Sequence, residues 1–352
     1  MTVEKRVEAF TKLGAFLEQF QLDGINKNET VFFNDIFLDS FAMLIKRAKE
    51  YNGWFTDENV LYALTSWGKL LTTENLNKWI SVYDLNNNTP KNIGVIMAGN
   101  IPLVGFHDFL TVLISGHNIV VKQSSTDKYF LPFMAKYLEK VAPEFKGKIT
   151  FSEGKLDNFE AVIATGSNNT ARYFDYYFGK YPNIIRQNRN SVAILTGKES
   201  KKELTNLGED IFRYFGLGCR SVSKIFVPKN YDFDNLFQAI YSKSNIINYI
   251  KYQNNYDYNK AVYLMSQFKL IENGFLMLKE DASYASPIAS LFYEYYTSEK
   301  ELEQKLTLEK DSIQCIVGNQ NIQNIVPFGE TQKPKLWDYA DGVDTLRFLE
   351  KL

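Results

Sequence analysis

The hydrophobic period of the chain changes at Asn92, and that change restricts the fold more than any other feature of the sequence. Before it, Val3–Phe20, Asp35–Tyr51 and Asp57–Leu71 carry apolar residues at three-to-four spacing, which predicts helices. Asn52-Gly53 stops the second of these, and Thr56 caps the third. From Asn92 onward short β-branched runs alternate with amphipathic stretches: NIGVIMA, NIVVK (118–122), KITF (148–151), AVIAT (161–165) and SVAILT (191–196). Helices are expected between them, from Pro102 to about Ser115, near 129–140 and from Asn168 to Phe178. Strand and helix at this pitch form βαβ units, hence an α/β chain built on mostly parallel, doubly wound sheets. After a helix over 200–215 a second series follows, with SKIFV (223–227), FLML (275–278), ASLFYEYY (289–296), IQCIV (313–317) and IQNIVPFG (322–329). The expected division is a helical segment plus first α/β domain over 1–197, a second domain over 198–330 and a tail over 331–352. The Asn- and Tyr-dense stretch 245–260 reads as a helix pair or an insertion.

Composition narrows the function. A length of 352 residues at roughly 150 per domain agrees with two domains, and 45% hydrophobic residues can fill a core in each. With 40 Lys+Arg against 41 Asp+Glu the net charge is -1, so no global field recruits nucleic acid or an anionic membrane. Cys219 and Cys315 supply neither a disulfide framework nor a zinc ligand set, which suits a cytoplasmic compartment. The N-terminal stretch intersperses charges at helical spacing, unlike a secretory signal, and no apolar run approaches a membrane span. With only His107 and His117 in the chain, His-ligated metal and a Ser-His-Asp hydrolase are improbable.

Ligands of open α/β sheets bind beyond strand ends, so the loops there are where chemistry is sought. Ala98-Gly99-Asn100-Ile101-Pro102 presents an Asn amide just before an expected helix. Gly166-Ser167-Asn168-Asn169 forms a small-residue helix start that can bring backbone N–H groups to a phosphate. Phe215-Gly216-Leu217-Gly218-Cys219-Arg220 exposes a thiol in a turn beside a cation, a setting that makes a nucleophile. Each also has an ordinary reading: a small buried Cys, a turn Asn before Pro, and a plain helix cap. No GxGxxG follows the first strand, which argues against an ordinary Rossmann dehydrogenase.

Order and spacing shift the balance. Asn100-Ile-Pro, GHNIVVKQSS (116–125), ATGSNNTAR (164–172) and GLGCRSVSKIFVP (216–228) together resemble the aldehyde dehydrogenase superfamily, which carries Asn-x-Pro, Gly-Asn-x-Val-Val-Lys-Pro-Ser-Glu, Thr-Gly-Ser and Gly-x-x-Cys in that order. With IVPFGET and WDYADGVDTL near the C-terminus, the chain looks most similar to the long-chain acyl-CoA reductases of bacterial luciferase operons. The resemblance implies an aldehyde dehydrogenase-like fold with a cofactor domain first and a catalytic domain second. It implies that Cys219 takes an acyl group from a fatty acyl-CoA as a thioester intermediate, and that the Asn100 amide with the Cys219 N–H holds the oxyanion, as a neutral donor can. It implies further that Lys122, Ser124 and Ser125 meet the adenosine ribose, and that Thr165, Gly166 and Ser167 lie near the pyrophosphate and nicotinamide.

Departures from the family pattern are equally informative. The ribose-binding Glu that follows the lysine is Ser125 here, which removes a carboxylate that would repel a 2′-phosphate and favours NADPH over NADH. Where hydrolytic members place a Glu general base, the stretch Arg186-Gln187-Asn188-Arg189-Asn190-Ser191-Val192 has Arg186, so water attack on an acyl-enzyme should be slow. In place of the second-domain Glu-x-Phe-Gly-Pro stands Ser283-Tyr284-Ala285-Ser286-Pro287, with Glu280 nearby. Four Arg residues, Arg186, Arg189, Arg213 and Arg220, bracket Cys219 and read either as a phosphate-binding patch or as solvated charges. His107 is expected to pack on a helix, His117 to cap one, and Cys315 to lie in the core. The rival readings are a semialdehyde dehydrogenase of the same superfamily and a non-catalytic relative acting as a binding partner; a cysteine hydrolase is less favoured, because neither His lies in a motif that would pair with the thiol. Self-association is open: the inserted hairpin through which superfamily members commonly associate has only a short Asn-rich counterpart between Thr72 and Thr89.

Overall fold

The computed structural model describes every residue except Asn87, Asn88, Ser167, Asn321 and Gln323. The chain forms two compact units, 1–187 together with 335–352, and 188–334.

In the first unit the helices α1 (Val3–Leu17), α2 (Asn34–Tyr51) and α3 (Asp57–Leu70) follow the predicted periodicity. Thr56 caps α3 by accepting from the Asn59 N–H, and Asn52 ends α2. A short ribbon, β1 (Phe20–Gln21) with β2 (Gly24–Ile25), joins α1 to α2. Between Thr72 and Thr89, where a short hairpin counterpart was expected, lies helix α4 (Thr73–Ile80), capped by Thr72 and burying Leu76, Trp79 and Ile80 at helical spacing. Strands β3 (Asn92–Ile96), β4 (Asn118–Lys122), β5 (Ile149–Phe151), β6 (Ala161–Thr165) and β7 (Asn183–Arg186) form a parallel sheet in the order β5-β4-β3-β6-β7. The connecting helices are α5 (Phe106–Ser115), α6 (Phe130–Val141) and α7 (Asn168–Phe178). An aromatic cluster joins the helical segment to α6: Phe16 stacks on Tyr137 at 4.5 Å, and Phe41 packs between Phe20 and Phe133.

The second unit opens with β8 (Asn190–Ile194), α8 (Lys201–Phe212) and β9 (Val222–Pro228). Helices α9 (Phe233–Ile240) and α10 (Ile250–Met265), strands β10 (Leu270–Glu272), β11 (Met277–Glu280) and β12 (Ser290–Tyr296), helix α11 (Glu299–Leu308), and strands β13 (Ile313–Val317) and β14 (Ile325–Val326) follow. The sheet order is β10-β11-β12-β9-β8-β13-β14, parallel except for β10. Leu207, Ile211, Leu236 and Ile240 of α8 and α9 cover one face, and Leu302 and Leu306 of α11 join the core on the other. The Asn- and Tyr-rich stretch is a 3-10 turn, Tyr241–Asn248, running into α10.

The compact units therefore change at 187/188, before β8, where 197/198 was expected, because β8 pairs with β9 and β13 and so belongs to the second sheet. The expected tail also divides. Residues 335–352, ending in helix α12 (Thr345–Glu350), belong to the first unit, where Leu346 and Leu349 are wholly buried. Among the described residues no helix is long and apolar enough to cross a membrane.

Candidate functional site

The first sheet runs β3, β4, β5 outward on one side and β6, β7 on the other, so its strand order reverses beside β3. Such a reversal opens a crevice at the carboxyl ends of the strands. Ile96 of β3 pairs in register with Lys122 of β4 and with Ala164 of β6. The three candidate segments, 97–100, 122–125 and 165–166, thus leave one edge side by side. Gly99 is buried against the 124–126 loop, where a Cβ would stand 2.6 Å from the Ser124 Cβ. The Thr126 hydroxyl donates to the Gly99 carbonyl at 2.8 Å, and the Asn52 amide donates to the same carbonyl at 3.4 Å. Asn100 is exposed just beyond this clamp.

The helix expected to start at Pro102 begins only at Phe106. Leu103 takes a left-handed φ of 58°, which no helix accommodates, and its N–H donates to the Asp127 carboxylate at 2.9 Å. Burial pushes the Asp127 carboxyl up to about 7, against the lowering effect of that hydrogen bond. Lys122 is half-buried, and no acidic partner of its ammonium occurs among the described residues; Ser124 bonds to the Thr126 hydroxyl, and Ser125 is exposed. Thr165 ends β6. Gly166 lies so close to α7 that a Cβ would stand 3.0 Å from the Thr170 Cβ. Ser167, expected beside the pyrophosphate, lies outside the described residues.

In the second unit Cys219 precedes β9, and Val222 pairs with Ser191 near the start of β8. The thiol therefore sits at the amino edge of that sheet, where the carboxyl-end rule would not look; the Gly-x-x-Cys motif is what finds it. It is exposed within the turn Gly218-Cys219-Arg220-Ser221, closed by the Ser221 N–H donating to the Gly218 carbonyl at 3.0 Å. Three consecutive residues ahead of the turn, Tyr214, Phe215 and Gly216, have φ of 54°, 59° and 75°. For the two aromatic residues this conformation costs about 1–2 kcal/mol each, and it persists only where packing enforces it. Tyr214 is buried, and Phe215 stacks on Tyr249 at 4.6 Å. From β8 the Ser191 hydroxyl donates to the Cys219 carbonyl at 3.0 Å, and the Arg220 Nε donates to the Thr331 carbonyl at 2.5 Å.

Each of the four Arg side chains has partners within its own unit. Arg186 is buried in the first unit, forking onto Asp108 and donating to the Thr345 hydroxyl at 3.0 Å. In the second, Arg189 donates to the carbonyls of Lys310 and Ile313, Arg213 pairs with Glu209, and Arg220 is tied to Thr331. His107 packs beside Trp67 and Trp79 and bonds the Leu336 carbonyl. His117 accepts from the Lys91 N–H and bonds the Leu349 carbonyl in the last turn of α12, so both rings are structural. Cys315 is buried in β13.

The acyl-CoA reductase (LuxC) family model matches residues 82–286, more than half of the chain. The chain belongs to that family. The reductase is accordingly an enzyme, an oxidoreductase of aldehyde chemistry. Solved structures share its fold. Aldehyde dehydrogenase 21 from Physcomitrella patens, in complex with the reaction product succinate, superposes with a TM-score of 0.71 at 11% identity, covering 100% of the reductase and 84% of that chain. An aldehyde dehydrogenase from Bacillus cereus gives 0.63 at 13% identity over 92% of the reductase and 73% of its own chain. An NADP-dependent enzyme from E. coli gives 0.61 at 12%, over 92% and 74%. No functionally curated protein matches the reductase in sequence. Among its described residues, no cluster of three or more His, Cys, Asp or Glu side chains could hold a metal ion.

Two carboxylates that sequence reasoning did not single out hold the candidate loops, Asp127 under Leu103 and Asp210 under residues 329–331. Nothing in their local sequence marks them: Asp127 is one acidic residue in a polar stretch, and Asp210 stands beside Glu209 as one more charge of an amphipathic helix. Their role depends on backbone N–H groups brought from elsewhere in the chain.

Proposed function

We propose that the reductase takes the acyl group of a fatty acyl-CoA onto Cys219 and releases it as the aldehyde, with NADPH as reductant. The observation that carries this reading is the exposed Cys219 thiol on a turn tethered by Ser191 and by Thr331. Fixing a nucleophile before the substrate arrives lowers the entropic cost of attack. The Cys219 thiolate attacks the thioester carbonyl, the carbon–sulfur bond to coenzyme A breaks, and coenzyme A leaves as its thiolate. Asn100 is assigned as side-chain donor to the oxyanion. Arg186, in the position that the resemblance gives to a hydrolytic base, cannot accept a proton from water, and its pairing with Asp108 turns it into the interior of its own unit. A thioester formed on Cys219 would therefore persist rather than hydrolyse.

The residues at the carboxyl edge of the first sheet suit a nicotinamide dinucleotide. Lys122 offers an ammonium without an acidic partner among the described residues, Ser124 and Ser125 offer hydroxyls, and Thr165 with Gly166 leads into the start of α7. The cofactor would supply the hydride. Ser125, exposed and uncharged, leaves room for a 2′-phosphate that a carboxylate would repel. A chain with two cysteines, one exposed and one buried in a strand, suits a reducing, cytoplasmic setting. Steady-state kinetics test the proposal: a long-chain acyl-CoA should support NADPH oxidation with a higher kcat/KM than NADH. Faster turnover with NADH would overturn the cofactor assignment, and turnover of a semialdehyde but of no acyl-CoA would overturn the substrate class.

A further inference from the structure

Helix α8 presents Asn206 and Asp210 on one face, one turn apart, to the segment 329–332. Asp210 is wholly buried. One carboxylate oxygen accepts from the Gly329 N–H at 2.6 Å, and the other accepts from the Thr331 N–H at 3.0 Å and the Thr331 hydroxyl at 2.8 Å. Gly329 has φ +87° and packs on Asn206, where a Cβ would stand 3.0 Å from the Asn206 Cβ, so only glycine brings this N–H to the carboxylate. The same segment reaches the Cys219 turn. The Thr331 carbonyl accepts from the Arg220 Nε at 2.5 Å, and the Gln332 amide donates to the Ser221 hydroxyl at 3.4 Å. Both residues that follow Cys219 are thus tied to a strap whose other side is fixed to Asp210.

We propose that Asp210 is a positioning residue, holding the Cys219 turn in its reacting geometry through the 329–332 strap. The proposal rests on the reading of Cys219 as the nucleophile, but the tether can be tested by thiol reactivity alone. Three donors aimed at one carboxyl group favour its ionised form, because a neutral acid is the weaker acceptor and turns the Thr331 hydroxyl from donor to acceptor. Burial pushes the Asp210 carboxyl up to about 6, with the three hydrogen bonds and the neighbouring Glu209 modifying that shift. The charged groups around it are Glu209 on α8, engaged by Arg213 and by Lys243 of the 241–248 turn; Arg220 on the Cys219 turn; and the Glu330–Lys333 pair on the strap. None of them forms an ion pair with Asp210.

The sign of the pH effect separates positioning from bulk stability. The folded-state pKa lies above the unfolded value, so the contribution of this group to global stability is present at low pH and lost as pH rises through about 6. The strap's three donors favour the opposite state, the carboxylate. Acidification below about 6 should therefore loosen the Cys219 turn without destabilising the fold through this group.

The test uses the full chain and follows iodoacetamide labelling of Cys219 by peptide mass spectrometry, with buried Cys315 as the internal reference, alongside NADPH-linked turnover. Asp210→Asn should lower kcat by about 10- to 100-fold, with KM for acyl-CoA changed less than about twofold, as for a misplaced reacting group. It should also remove the acid limb near pH 6 from the Cys219 labelling profile, and Asp210→Glu should restore part of kcat. If Asp210→Asn melts below the assay temperature, Thr331→Val, which deletes one donor and keeps the backbone, decides the question: kcat should fall with KM held and the Cys219 labelling rate should change, and wild-type values of both would overturn the proposal. Wild-type kcat and an unchanged labelling profile in the folded variant would overturn the proposal. If Cys219→Ser keeps full activity, the nucleophile reading fails instead, while the labelling profile still reports on the tether.

Discussion

Arg186 shows how a residue type can be informative and its first reading still change. As a break in the family pattern it argues for the absence of a hydrolytic base, and that reading needs only its identity. As a member of a phosphate-binding cluster it fails, because its guanidinium is buried against Asp108 and Thr345 in the first unit. Removing one partner of such a pair leaves the other charge buried and uncompensated. Arg186→Met should therefore destabilise the protein by about 3–5 kcal/mol, read as a loss of the urea midpoint with an unchanged m-value. A change below about 1 kcal/mol would show that Asp108 is solvated or neutral. Asp127 and Asp210 carry the complementary lesson. Each carboxylate holds a distant loop by its backbone N–H groups, and no local pattern announces such a role.

At the scale of elements, the regular pieces were legible wherever the hydrophobic period was long enough to read. Helices α1 to α3 and strands β3, β4, β6 and β9 lie where that period puts them. Helix α4 and strands β7 and β10 have no counterpart among the expected elements, since eight residues or fewer carry little periodicity, and tertiary pairing rather than local preference defines them. Loop conformation was the least legible feature. Positive φ at Leu103, Tyr214 and Phe215 occurs at residues whose side chains disfavour it, so sequence argued for a helix at Pro102 where the structure makes a turn. Glycine positions offer a test at this scale. Gly116 ends α5 with φ +96°, and a Cβ there would stand 2.2 Å from the Arg6 Nη1, whereas Gly147 has φ +75° and nothing within 4 Å. Both alanine variants bear the backbone cost of roughly 1 kcal/mol, but Gly116→Ala must also displace a buried guanidinium. Its loss in Tm should exceed that of Gly147→Ala at least twofold; equal losses would mean that Arg6 moves aside freely.

For the whole molecule, the change of period at Asn92 announced two α/β sheets, and two are present, each with helices around it. Order and spacing of four motifs identified the family where single loops could not, because each loop alone has an ordinary reading as a cap, a turn or a buried thiol. The division between units was harder to read. A strand joins the sheet that supplies its hydrogen bonds, so β8 goes with β9 although it follows closely on β7 in sequence. The return of 335–352 to the first unit was likewise invisible, since α12 is only six residues long. It is structurally substantial: Leu346 and Leu349 are fully buried, and the Leu349 carbonyl is a partner of His117. A chain ending at Pro334 loses at least the burial of two leucines, roughly 4 kcal/mol, and its Tm should fall by about 10 °C. An unchanged melt would mean that the first unit is complete without the segment. The central claim, that Cys219 accepts the acyl group, is tested most directly by intact-mass and tryptic-peptide mass spectrometry after incubation with a long-chain acyl-CoA in the absence of NADPH. One acyl adduct per chain on the Cys219 peptide, absent from Cys219→Ser, is the expected result; a wild-type protein that turns over acyl-CoA while its Cys219 stays unmodified would contradict it.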